Sequence, residues 1–204
     1  PFANIAHGCN SILATKLALS KGEYVITEAG FGADLGAEKF INIKCRNGNI
    51  SPKLSVVVVS TQALKMHGGV NILDIKKPNL DGLKRGFENL DKHIYNLRNF
   101  GQNIVVAFNK YDFDDDQEIQ ILKEHCENQG VEFAINDAFS KGGEGAIELA
   151  QKVVKVAENN PSEKLKFTYN EDDPITKKVE KIAKSIYGAK NVIFAKKAMD
   201  KLER

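Results

Sequence analysis

Ser55-Val56-Val57-Val58-Val59-Ser60-Thr61 is the stretch on which the reading of the fold turns. It is β-branched, apolar and uninterrupted, the pattern of a strand buried on both faces of a parallel sheet. Downstream, Leu83, Phe87, Leu90, Ile94 and Leu97 recur at spacings of three and four, predicting a long amphipathic helix from Leu80 to Phe100-Gly101. A second buried strand is expected over Asn103 to Phe108, a helix over Asp115 to Asn128, and a third strand over Val131 to Ile135. A glycine-rich loop and a helix from Ala146 to Glu158 follow. Strand, turn and helix repeated in this way predict an α/β fold, a three-layer arrangement with a mostly parallel sheet and flanking helices. Upstream, Asn10-Ser11 can cap a helix over Ile12 to Ser20, Tyr24 to Thr27 reads as a short strand, and Ala33 to Cys45 begins helix-like. After the break Asn159-Asn160-Pro161-Ser162 come a strand candidate, Leu165 to Tyr169, and helices near Ile175 to Tyr187 and Ala195 to Leu202. The expected division is an α/β portion over 1–158 and a basic helical extension over 159–204 packed on the same domain.

Composition narrows the function classes. Among 204 residues, 29 Lys and Arg balance 27 Asp and Glu, a net charge of +2 that gives no electrostatic footprint for nucleic acid or a membrane surface. No apolar run approaches the roughly 20 residues of a membrane helix, and no signal-peptide pattern is visible. Three widely spaced cysteines, Cys9, Cys45 and Cys126, suit neither a disulfide framework nor a Cys-x-x-Cys metal site, so a reducing, cytoplasmic setting is expected. Pro1 stands inside what already reads as a motif, which suggests a piece of a longer chain.

In an open α/β sheet ligands gather outside the carboxyl ends of the strands. Four segments qualify: Glu28 to Asp34, Gln62 to Gly69, Asn109 to Asp116, and Asn136 to Gly145. In the first, Gly30 and Gly32 permit positive φ around Phe31, between the carboxylates Glu28 and Asp34; an anion or a flat ligand, or simply a tight turn, would use this. In the second, Lys65 and His67 could neutralise a phosphate or carboxylate, Gly68-Gly69 could let the chain move, and a solvated loop is the plainer reading. Asn109-Lys110-Tyr111-Asp112 matches the Asn-Lys-x-Asp pattern by which GTPases read guanine, and Ser140-Lys141 mimics a second base motif. No Gly-x-x-x-x-Gly-Lys-Ser/Thr stands anywhere in the chain to hold phosphates, so a free-standing GTPase is a poor reading. The acidic run Asp112 to Glu118 has Gln117 and Lys123 where a calcium loop needs Gly and Glu, and reads instead as a helix N-terminus. His93, His125 and Cys126 form no metal-ligand set.

Several longer motifs go further. Pro1-Phe2-Ala3-Asn4-Ile5-Ala6-His7-Gly8, Thr27 to Phe40 (Thr-Glu-Ala-Gly-Phe-Gly-Ala-Asp-Leu-Gly-Ala-Glu-Lys-Phe), Ala63-Leu64-Lys65-Met66-His67-Gly68-Gly69, Lys141-Gly142-Gly143-Glu144-Gly145 and Ile186-Tyr187-Gly188-Ala189 closely resemble the formate–tetrahydrofolate ligase family, essentially end to end. The resemblance implies a P-loop NTPase-like core lacking its Walker A segment, and a central fragment of an enzyme that uses ATP and Mg2+. Such an enzyme phosphorylates formate to formyl phosphate, and N10 of tetrahydrofolate then attacks the formyl carbon to give 10-formyltetrahydrofolate. It further implies a homotetrameric parent, and no ligase activity from this piece alone. By the same resemblance, Tyr111 and Phe139 would sandwich the pterin, with Asp112 and Ile135 lining that pocket. Gly30, Phe31 and Gly32, with Glu28 and Asp34, would lie near the nucleotide and formyl phosphate, as would Lys65 and His67. The chain departs from the family pattern with Tyr for Phe at 111, Asp for Pro at 112, Phe for Trp at 139, and Gln for Arg at 62. A non-catalytic nucleotide-binding module using Asn109 and Asp112 is the alternative.

Overall fold

A computed structural model describes residues 9–30 and 32–202. Phe31 and the motif over residues 1–8 lie outside the described residues. Contacts group the chain into two units: one runs to Ser51 and resumes at Leu165, and the other is Pro52–Lys164.

In the first unit, helix α1 (Ile12–Leu19) starts where Ser11 accepts a hydrogen bond from the Ala14 amide at 3.1 Å. Tyr24 to Thr27 does not form the expected strand: the chain bends at Tyr24, Val25 to Thr27 have no assigned secondary structure, and Ile26 is left 91% exposed. Helical structure then runs through residues 32–48 (α2), π-helical over Gly32–Gly36 and Phe40–Cys45. It ends at Asn49, whose φ of 50° is left-handed.

The second unit holds the sheet. Strand β1 (Ser55–Val59) stops earlier than its apolar run suggests, because Ser60 turns into an N-cap, accepting from the Ala63 amide at 3.2 Å. Residues expected to form a loop are therefore helix α3 (Thr61–His67). Helix α4 (Leu80–Asn99) is capped by Asn79 and buries Leu83, Phe87, Leu90, Ile94 and Leu97, the predicted stripe. Strand β2 (Ile104–Asn109) is buried along nearly its whole length. Helix α5 (Asp116–Asn128) begins on Asp115, whose carboxylate accepts from the Gln117 and Glu118 amides. Strand β3 (Glu132–Asn136), the short helix α6 (Ala138–Lys141), a 3₁₀ turn over Gly142–Ala146 and helix α7 (Ile147–Asn159) complete the unit.

The three strands are parallel in the order β1-β2-β3, with Val57 opposite Val106 and Ala107 opposite Ala134. The α/β expectation is met, and β2 is the strand covered on both faces. The edge strand β1 instead exposes Val56 and Val58, alternate residues on one face. Beyond α7, Ser162 donates its amide to the Lys53 carbonyl at 2.7 Å, just before β1. From Leu165 it belongs to the first unit. Leu165 to Tyr169 is not a strand, since side chains satisfy its backbone. Asn42 accepts from the Thr168 amide at 2.9 Å, and Arg46 donates to the Tyr169 carbonyl at 2.6 Å while lying over the Phe167 and Tyr169 rings. Helices α8 (Ile175–Ser185) and α9 (Lys196–Leu202) end the described chain. Among the described residues no helix is long and apolar enough to cross a membrane.

Candidate functional site

Register places Asn109 and Asn136, the last residues of β2 and β3, side by side. The Lys110 amide donates to the Asn136 carbonyl at 3.0 Å, so the loops leaving the two strands start from a common floor. Tyr111, half-buried, is held three ways. Its amide donates to Asp114 Oδ2 at 2.8 Å, its hydroxyl accepts from Asn109 Nδ2 at 3.2 Å, and its ring lies parallel to Phe113, with centroids 5.4 Å apart and planes 10° off. Asp112 is exposed, and its Oδ1 accepts from the Ser140 hydroxyl at 3.4 Å, joining this loop to α6. Phe139, next to Ser140, is 88% exposed, an unusual setting for so large an apolar ring. Ile135 is half-buried, one residue before the end of β3.

An ion pair and a glycine-only turn shape the loop after β3. Lys141 bridges Asp137 at 2.8 Å, which holds the Asp137 carboxyl below its usual range and the Lys141 ammonium above its own. A side chain at Gly145 would start 2.2 Å from the Asp137 carbonyl oxygen, so only glycine allows this turn to close. Chemically the two strand ends offer flat aromatic faces, a carboxylate and a hydroxyl. That combination suits binding and orienting a planar heterocycle.

At the end of β1 the picture differs from the sequence reading. Lys65 is buried, its Nζ 2.9 Å from Glu118 Oε2 and 2.9 Å from the Lys77 carbonyl oxygen, while Glu118 Oε1 accepts from the Asn79 amide at 2.6 Å. This ammonium is engaged by the protein's own carboxylate. His67 is exposed on the last turn of α3. Gly68 does not supply freedom of movement; a Cβ there would meet the Gly82 carbonyl oxygen at 1.8 Å, and Arg85 donates to the Gly68 carbonyl at 2.8 Å. Sequence reasoning passed over Phe113, Asp114 and Glu118, having absorbed the acidic run into a helix N-terminus. Asp115 alone takes the capping role, whereas Asp114 accepts from the Tyr111 amide and from the Thr61 hydroxyl. The signal available was Asp114-Asp115, one carboxylate more than a cap needs.

In the first unit Gly30 and Gly32 adopt φ of 92° and 65°, the positive values anticipated. Glu28 is exposed and Asp34 half-buried, with Asp34's carbonyl accepting from the Tyr187 hydroxyl at 3.2 Å. Nearby, burial raises the Glu38 carboxyl above its usual range, against the bond it accepts from Asn42 Nδ2 at 2.9 Å. Burial also pushes the Cys45 and Cys126 thiols up to about 12, which disfavours the thiolate form of each. Among the described residues no group of three or more His, Cys, Asp or Glu side chains could hold a metal ion, and the residues at hand do not assign ligands for Mg2+.

Comparison with known proteins adds the chemistry. The sequence profile of the family described as formate–tetrahydrofolate ligase matches residues 1–204. A protein of that name from Bacteroides thetaiotaomicron (strain VPI-5482) is 61% identical over 203 residues, covering 100% of this chain and 37% of the relative. Proteins of the same name from Porphyromonas gingivalis (strain W83) and Campylobacter concisus (strain 13826) are 59% and 53% identical over 204 residues, again with 37% of each relative covered. The chain thus spans just over a third of the length of these curated relatives.

Proposed function

The chain belongs to the formate–tetrahydrofolate ligase family, and from that premise we propose that it contributes the pterin pocket of an ATP-dependent ligase joining formate to tetrahydrofolate. In the proposed reaction a formate oxygen takes the γ-phosphoryl group of ATP, leaving ADP. N10 of tetrahydrofolate then attacks the formyl carbon, the bond to phosphate oxygen breaks, N10 loses its proton, and 10-formyltetrahydrofolate and phosphate are released. The demand on this part of the molecule is positional, since the amine must wait beside a water-labile anhydride in a fixed orientation.

The observation that carries the reading is that two aromatics follow the ends of neighbouring strands, on loops joined by a hydrogen bond. Tyr111 is held on the β2 loop, and exposed Phe139 is tied to that loop through Ser140 and Asp112. A flat, electron-rich pterin gains from stacking on each face, about 0.5–1.5 kcal/mol per aromatic pair beyond area burial. Asp112 adds an acceptor for the ring's N–H groups, and Ile135 an apolar floor. Positive φ at Gly30 and Gly32 supports a role for that turn on the nucleotide and formyl phosphate side of the reaction, where the carboxylates of Glu28 and Asp34 would suit hydroxyl donors better than phosphate. His67 is the exposed basic candidate at the end of β1.

Asn109, the residue that would read a guanine base, instead donates to Tyr111, which favours the folate reading over a GTP-binding module. Titrating the 204-residue chain by calorimetry with tetrahydrofolate, ATP and GTP tests the proposal. Saturable heat with tetrahydrofolate and none with GTP is expected; selective GTP binding would overturn it. Mixing the chain with ATP, formate and tetrahydrofolate should give no 10-formyltetrahydrofolate, because its sequence carries no Walker A loop.

A further inference from the structure

Tyr111 is more constrained than a loop residue needs to be, and the groups that constrain it come from two different strand ends. Asp114 is the hub. One carboxylate oxygen accepts from the Tyr111 amide at 2.8 Å, the other accepts from the hydroxyl of Thr61, and the Asp114 amide donates back to the Tyr111 carbonyl at 3.0 Å. Thr61 is fully buried at the first turn of α3, directly after β1, so it cannot shift to follow a mobile loop. Asp114 therefore staples the β2 loop to the β1 end of the sheet. The ring is fixed separately. Asn109 Nδ2 reaches the hydroxyl, and Phe113 covers one ring face in a near-parallel stack, its own ring lying 5.3 Å from the Lys76 ammonium.

We infer that Asp114 and Phe113 are positioning residues for Tyr111: Asp114 fixes its backbone to the sheet, and Phe113 occupies one ring face so that a planar ligand has only the other. This rests on the reading of Tyr111 as a pterin-stacking residue, and it goes beyond it by assigning the groups that hold the platform. Preorganising the ring removes the ordering cost that binding would otherwise bear, so the effect is on affinity. The same staple links the ligand loop to the β1–α3 junction, where Gln62 and Lys65 sit.

Amide hydrogen exchange on the 204-residue chain tests the staple without any ligand. In Asp114→Ala the Tyr111 amide should exchange at least tenfold faster than in wild type, relative to the Val105–Phe108 amides of β2 as internal reference. Asp114→Asn can keep its carbonyl oxygen on the Tyr111 amide and turn its NH2 toward the Thr61 hydroxyl, so it should restore most of the protection. Wild-type exchange at Tyr111 in Asp114→Ala overturns the inference. Affinity for tetrahydrofolate tests the consequence: Asp114→Ala and Phe113→Leu should each weaken it about fivefold in wild type and change it less than twofold in a Tyr111→Ala background. Equal losses in both backgrounds mean the residues do not act through Tyr111, which also overturns the inference. If wild type fails to bind tetrahydrofolate, or Tyr111→Ala binds as well as wild type, the folate reading fails and the exchange data alone decide the staple.

Discussion

Lys65 shows how a charged residue can change meaning between a sequence and a fold. In the string it stands in a polar, glycine-rich stretch two residues from His67, a natural cradle for an anion. In the fold it is 2% exposed, and Glu118, 53 residues away, takes its charge. Removing one partner strands the other charge in the interior, so Lys65→Ala should cost about 3–5 kcal/mol in urea unfolding. Lys65→Met combined with Glu118→Leu should recover part of that loss, since an apolar pair of similar volume needs no desolvation while the Asn79 amide and the Lys77 carbonyl lose their partners. Cys45 and Cys126 follow the same logic of burial. With thiols pushed up to about 12, both should resist iodoacetamide at pH 8 in the folded chain and label fully in urea, read by mass spectrometry.

Elements in the sheet unit owe their closeness to glycine. A Cβ at Gly86 would sit 1.9 Å from the Leu64 carbonyl oxygen, so α3 and α4 approach backbone to backbone, and one at Gly82 would sit 2.1 Å from the Val70 side chain just beyond α3. Gly86→Ala is expected to destabilise by about 1–3 kcal/mol or more, as overpacking against backbone does. Gly143→Ala, with nothing within 4 Å of the added carbon, should stay within roughly 0.5 kcal/mol of wild type in the same urea titration. These elements also show what a sequence displays and what it hides. The stripe of α4 and the apolar run of β2 were legible because burial imposes a period or a composition on consecutive residues. The helical nature of Thr61–His67 was not, because seven residues carry barely two turns of pattern and the deciding signal was the single cap Ser60. Leu165 to Tyr169 looked like a strand because its residues are strand formers, yet Asn42 and Arg46 answer its backbone from 123 and more residues away. Of the candidate site, Tyr111 and Phe139 are proposed on resemblance alone, whereas the Thr61–Asp114 staple depends on a contact across 53 positions that no local pattern encodes.

For the whole molecule, two observations set the account: a buried carboxyl in the first unit and an exposed ring in the second. Burial raises Glu38 above the ordinary 4.5, so its contribution to stability is fully present below that value and is lost as pH rises through the higher folded value. Glu38→Gln keeps an acceptor for Asn42 without the charge. It should unfold at higher urea than wild type at pH 7 and show a flatter stability profile between pH 4 and 8. Phe139 carries the functional proposal, because it is an 88% exposed aromatic on a short helix tied to the Tyr111 loop by the Ser140–Asp112 hydrogen bond. The most direct measurement is the affinity of the 204-residue chain for tetrahydrofolate with and without that ring. Loss of one stacked face should weaken binding by roughly tenfold, the equivalent of about 1.4 kcal/mol, in Phe139→Ala. Identical affinity in wild type and Phe139→Ala would contradict the account.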